Sequence, residues 1–174
     1  MAGAFWRFAY CGCFDRRDPD GKIWPGTKRL DEVILRLSQA QSTLSDPNAP
    51  LAGWRFDPIY FDNQRCVRED PDRVSTTRAL GKVHASAHII NANSAALSAI
   101  GWLRSGIDHP GVPLGAEGLP TGEMKGPEAM FMVQKVLNIE RDMLSGDERG
   151  LLDFARLAVR TGTTTATDLA NPLP

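Results

Sequence analysis

Apolar side chains fall into three helical patterns along this chain. From Leu30 to Leu44 they recur at three- and four-residue steps, at Leu30, Val33, Ile34, Leu37 and Leu44, which is the period of one face of an α-helix. Thr27 stands where an N-cap belongs and Pro47 closes the segment, so the pattern predicts an amphipathic helix between them. A second pattern starts at Pro127, a residue suited to a first helical turn, and runs through Ala129, Met130, Val133, Val136, Leu137 and Leu144. Ser145-Gly146-Asp147 interrupts it, and Leu151, Leu152, Phe154, Ala155, Leu157 and Ala158 then predict a short helix that stops at Gly162. The tail over 163–174 is rich in threonine, ends in Asn171-Pro172-Leu173-Pro174 and reads as irregular.

The third pattern is the least ordinary. From Val83 to Leu103 there are 21 consecutive residues without Asp, Glu, Lys or Arg, bracketed by Lys82 and Arg104. The length could span a bilayer, but His84, Ser86, His88, Asn91, Asn93, Ser94 and Ser98 would each need a partner in lipid. A long buried helix over about 75–103 is the expectation. At about 100° per residue, Ala85, Ile89, Ala92, Ala96, Ile100 and Leu103 share one face and Val83, Ile90, Leu97 and Gly101 another. A stripe of His84, His88, Asn91, Ala95, Ser98 and Trp102 runs between them. Apolar on two sides, such a helix belongs at the centre of a bundle.

Aromatic residues shift the picture for the first half, which holds ten of the thirteen before position 62. Phe5 to Phe14 and Trp54 to Phe61 are short runs of strand-like composition ended by turn-prone sequence. Trp6-Arg7-Phe8 followed by Asp18-Pro19-Asp20, and Trp54-Arg55-Phe56 followed by Asp70-Pro71-Asp72, repeat in the same order. A duplicated strand-turn-helix unit would give this; so would the aptitude of Asp-Pro-Asp for turns and helix entries. Residues 106–127 hold six glycines and four prolines, which argues for a long loop without regular structure, of the kind that is usually functional. Together these elements predict a mainly α fold in one domain over 1–174: a bundle of about four helices with a small aromatic-rich N-terminal β element, and α+β as the runner-up.

With 174 residues the chain is long enough for a core that buries about 70% of its unfolded surface. Its 20 basic and 21 acidic residues are interspersed, which argues against nucleic acid or an anionic membrane as partner. Three cysteines, Cys11, Cys13 and Cys66, are an odd set in a chain too large to need disulfides, and Arg7 interrupts the apolar N-terminus. Both point to a reducing, cytoplasmic location without a secretory signal.

The chemistry concentrates on the polar stripe. Histidines four apart on a helix can share one metal ion, which makes His84 and His88 the candidate metal ligands, with His109, Cys66, Cys11, Cys13, Glu128 or Glu140 as further donors. His84, His88, Asn91, Trp102 and His109 are the candidate binding residues. The competing view is that the histidines are hydrogen-bonded core or interface residues, since no Glu completes a metalloprotease helix and no Glu-x-x-His pair exists. Phosphate-binding loops, a Gly-x-Ser-x-Gly elbow, a zinc-ribbon cysteine pattern and a complete calcium loop are all absent. No cofactor is specified. The reading that follows is a non-enzymatic interaction module, an adaptor, inhibitor or assembly subunit, with a protein partner or a second copy of itself. Its alternative is a metal-binding helical domain or metal-dependent enzyme centred on His84 and His88.

Overall fold

A computed structural model describes residues 4–139 and 148–167. A 3-10 turn, Ala4–Arg7, leads into β1 (Ala9–Tyr10), a small hairpin of β2 (Arg16–Arg17) and β3 (Ile23–Trp24), and helix α1 (Leu30–Ser42). Strand β4 (Leu51–Phe56) follows, then a 3-10 turn at Pro58–Tyr60, the one-turn helix α2 (Glu69–Asp72), strands β5 (Leu80–His84) and β6 (Ile89–Ala92) and the short helix α3 (Ser94–Ala99). Strand β7 (Glu123–Lys125), helix α4 (Gly126–Val136) and helix α5 (Glu148–Arg160) complete the order. Five strands form one mixed sheet in the order β1-β4-β5-β6-β7, in which β1, β4 and β5 run parallel and β6 and β7 antiparallel. This is an α/β fold, and it overturns the expected helical bundle.

The sheet has a core on each face. On one, α1 lays Leu30, Val33 and Leu37 over Cys11, Leu51, Phe56 and Leu80. On the other, α3 and α4 lay Ala96, Leu97, Ala129, Met130 and Val133 over Ala52, Val83, Ile90 and Met124. Covered on both faces, β5 is buried at all five positions. That explains the failure of the predicted long helix: a strand buried on both sides shows no alternation, and its continuous apolar run carries no period to separate it from a buried helix. The reversal between β5 and β6 passes through Ala87 at φ 59. Asn93 then ends β6 and caps α3, its Oδ1 accepting from Ala96 N at 2.9 Å and Leu80 N at 3.0 Å.

Helix α1 lies where its pattern predicts, but Thr27 does not cap it. Arg29 is the N-cap, and the buried Thr27 hydroxyl donates instead to the carbonyls of Cys11 and Gly12, tying the helix entry to the end of β1. Helix α4 also begins as expected; Leu144, Ser145-Gly146-Asp147 and Glu140 lie outside the described residues. Helix α5 occupies its predicted place with an unexpected face buried. Asp153 is its buried residue while Leu151, Leu152 and Val159 are exposed. Its arginines hold it to the β2–β3 turn, Arg156 on the Asp20 carboxylate and Arg160 on the carbonyls of Asp18 and Pro19. Residues 163–167 are irregular and exposed.

The segment over 106–127 is not a free loop. It contains β7, buries Ile107 and Val112, and bonds its backbone to the rest of the chain through Arg68 N to Thr121 O and Ala92 N to Gly122 O. The repeated tripeptide also has two different structures, since Trp6-Arg7 lies in a 3-10 turn and Trp54-Arg55-Phe56 in a strand.

Candidate functional site

Register puts a row of polar side chains across one face of the sheet. Gly53 pairs with Lys82, Lys82 with Asn91, and Asn91 with Glu123, so the last three stand side by side on β5, β6 and β7 on the face that α1 covers elsewhere. Lys82, Asn91 and Glu123 are 1%, 0% and 5% exposed. Beside Lys82, Gly53 lets its neighbours pack onto bare backbone, since a Cβ there would come 3.0 Å from Cys11 Sγ and from Leu37 Cδ2 and 3.3 Å from Lys82 Cβ. His84 follows two residues after Lys82 on the same face, at the carboxyl end of β5.

A bulge at the end of β4 completes this neighbourhood. Pairing with β5 shifts between Trp54 and Phe56, and Arg55 between them takes φ 77, a left-handed conformation costly for a non-glycine residue. The extra residue turns Phe56 away from the face where Trp54 stacks on Phe5 and into the α1-side core. Phe56 then lies edge-on to His84, ring centroids 5.3 Å apart, and under the Lys82 ammonium at 4.1 Å, a distance at which a cation is attracted to a ring face.

The segment after β4 roofs the row. Asn91 Nδ2 donates to the Cys66 carbonyl at 2.9 Å, while Asn91 Oδ1 lies 3.2 Å from Lys82 Nζ and 2.6 Å from His84 Nε2. Glu123 takes Arg65 at 2.8 Å and Lys125 at 3.0 Å on one carboxylate oxygen. Between roof and sheet lies a cavity of about 540 Å³, lined by His84, Glu123, Arg65 and Lys125, by Asp57, Pro58 and Ile59 from the end of β4, and by Ser86 and Ile89 from the β5–β6 turn. The size suits a small molecule. Its place at the carboxyl ends of the parallel strands β4 and β5 is where open α/β sheets bind ligands.

Burial holds the His84 imidazole below its ordinary range; the bond to Asn91 opposes this, Lys82 reinforces it, and Glu123 and Asp57 oppose it. The same burial pushes the Cys66 thiol up despite Lys82 beside it, so Cys66 is protonated at neutral pH.

The structure divides the sequence candidates. His84 and Asn91 meet directly. His88 does not join them: it is exposed on the turn after β5, beside a second, apolar cavity of about 370 Å³ that Pro127, Met130 and Phe131 line. Two histidines four apart share a metal only on a helix, and here a strand and a turn separate His84 from His88. Trp102 and His109 touch each other, ring centroids 5.8 Å apart, but with the α4-side core and Glu128 of α4. Cys11, Cys13 and Cys66 are free and buried, and among the described residues no three His, Cys, Asp or Glu side chains are placed to hold a metal ion. Lys82, Glu123, Arg65 and Asp57 are the residues that sequence reasoning missed. A clue to Glu123 existed in Gly122-Glu-Met-Lys-Gly126, three residues bounded by glycines within the supposed loop.

No protein-family model matches this chain, and no curated protein matches it. Two solved structures share its fold. One is an uncharacterized metal-dependent hydrolase from Pyrococcus horikoshii OT3, with TM-score 0.54 and 13% identity over 92% of this chain and 32% of that one. The other is an uncharacterized metal-dependent hydrolase from Pyrococcus furiosus, with TM-score 0.53 and 14% identity over 92% of this chain and 33% of that one. The chain thus spans about a third of the length of either. Such identities establish likeness of fold, and the fold is again α/β. These findings give the interaction reading no support, and the long 106–127 segment is packed on its own sheet. No helix among the described residues is long and apolar enough to cross a membrane.

Proposed function

We propose that this chain forms part of a hydrolytic enzyme and that the cavity at His84 is the share of the active site it contributes. The observation that carries this reading is the cluster of Lys82, Asn91, His84 and Glu123, four polar side chains withdrawn from solvent, of which His84 and Glu123 line a cavity. Buried ionisable groups cost stability unless paired, and their gathering beside a cleft is characteristic of sites where chemistry is done. The likeness to two metal-dependent hydrolases adds support for the class. A metal, however, is not accommodated by these residues alone: His84 and Glu123 are two donors where a catalytic zinc takes three from the protein, and His84 already spends one ring nitrogen on Asn91. Any metal of this enzyme would draw ligands from outside the described residues.

The test is turnover by the purified chain on simple acyl substrates, p-nitrophenyl acetate and an N-acetyl amino-acid anilide, with and without added Zn²⁺ and with a chelator. Hydrolysis above the buffer rate that falls at least tenfold in both Glu123→Gln and His84→Gln is expected. A folded wild-type protein that turns over neither substrate under any of these conditions, or variants as active as the parent, would overturn the reading.

A further inference from the structure

We infer that His84 works through Nδ1 as the proton acceptor of the cavity, and that Asn91 is the positioning residue that keeps that nitrogen bare. The argument is one of donors and acceptors. The Cys66 carbonyl can only accept, so the Asn91 atom 2.9 Å from it is the amide nitrogen. The amide is thereby oriented, and its oxygen is the atom that faces His84 Nε2 at 2.6 Å and Lys82 Nζ at 3.2 Å. A carbonyl oxygen cannot donate, so the hydrogen in the first contact belongs to Nε2. A neutral imidazole carries one N–H, which leaves Nδ1 with its lone pair. Rotating the amide would set its oxygen against the Cys66 carbonyl and its nitrogen against the Lys82 ammonium, so these two partners fix the amide, and with it the tautomer.

Nδ1 is also accessible. His84 lines the cavity, its ring makes no other hydrogen bond among the described residues, and Nδ1 is not one of the buried polar atoms left unpaired. The ring therefore presents its acceptor nitrogen to the cavity and keeps its donor nitrogen in the core. The charged and titratable groups around it are Lys82 of its own strand, Glu123 and Lys125 of β7, Asp57 at the end of β4, and Arg65 and Cys66 of the roof.

On the hydrolase reading, on which this step rests, Nδ1 takes a proton from a water whose oxygen bonds to the carbonyl carbon of an amide or ester. The bond from that carbon to the leaving nitrogen or oxygen then breaks, and the proton passes from Nδ1 to the leaving atom. One water is consumed and the imidazole returns to its starting form.

Long-range ¹H–¹⁵N spectra of uniformly labelled wild-type protein read the tautomer without any substrate. A protonated Nε2 and a bare Nδ1 at pH 7.5 are expected, and a protonated Nδ1 or a doubly protonated ring overturns the assignment. Asn91→Asp, which retains an acceptor, should preserve the tautomer and raise the His84 pKa in the same titration; Asn91→Leu should release the preference. In the hydrolysis assay, the acid limb of the wild-type kcat profile should coincide with the His84 pKa measured by NMR. His84→Gln should lower kcat by about 10²–10⁴-fold with little change in KM, and the limb should move upward in Asn91→Asp. A limb that lies elsewhere, with the tautomer as stated, overturns the catalytic role; absence of any hydrolysis overturns that role together with the hydrolase reading while the tautomer stands.

Discussion

Lys82 shows what single residues do in this molecule. Its ammonium group is sealed from solvent, with Asn91 Oδ1, the Cys66 thiol and the face of Phe56 as its partners among the described residues. A hydrophobic residue of the same volume is often neutral or stabilising at such a position, so the lysine belongs to the site's electrostatics more than to the core. Cys11, close by, makes the opposite case of a group kept neutral. Burial raises its thiol from 9.0 to about 11, with Lys82 and Arg36 pulling the other way. Because the folded value lies above the unfolded one, the stabilisation is fully present below about pH 9 and is lost as pH rises toward 11. Melting temperatures measured from pH 8 to pH 11 should fall more steeply for the wild type than for Cys11→Ala. Parallel curves would show that the thiol does not ionise on unfolding.

At the scale of elements, α1 and β5 contrast. Helix α1 is half exposed, so polar and apolar positions alternate with its turns and the inward residues can be named from sequence. Leu37 is 0% exposed and packs over the β1–β4 pair, and Leu37→Ala should destabilise by about 2–5 kcal/mol through lost burial and a cavity. Urea denaturation measures this directly, and a loss below about 0.5 kcal/mol, the size of a surface change, would place the residue outside the core. In β5 both faces are inside and each position answers to a different neighbour. Gly81 lies so close to the end of α4 that a Cβ would come 2.5 Å from Leu137 Cδ1. Leu80 fills the α1-side core, and Lys82 and His84 belong to the site. No period can emerge from such a sequence, because the demands come from elements far along the chain.

For the whole molecule, the segment 106–122 is the informative part. Its sequence has the composition of an open arm, but its backbone is bonded to β6, to the start of α2 and to itself through the Leu114–Pro120 bridge, and its glycines include Gly122 at φ 92, where a Cβ would lie 2.5 Å from Ala92 O. These glycines and prolines fit a chain threaded tightly against the sheet. Limited subtilisin digestion followed by mass spectrometry should therefore find 106–122 as resistant as the strands it borders, because cleavage needs locally opened backbone. Early cuts within it would mean that the packing is not maintained in solution.

What the sequence determined by itself were the elements with one wet face and enough length to repeat: α1, the start of α4 and the extent of α5 are each written in spacings of three and four and in bounding glycine or proline. It also singled out His84 and Asn91 as polar groups in need of partners, and they bond to each other across neighbouring strands instead of along one helix face. Tertiary structure alone decided the sheet. Strands of two or three residues, such as β1 and β7, are too short to show a period, and β5 and β6 are too buried to show alternation. The site belongs to that second category for the same reason. Lys82, Asn91 and Glu123 stand in one row only because three strands pair in one register, and register is fixed by pairs of residues up to 36 positions apart, Ile89 with Lys125, which no local pattern encodes.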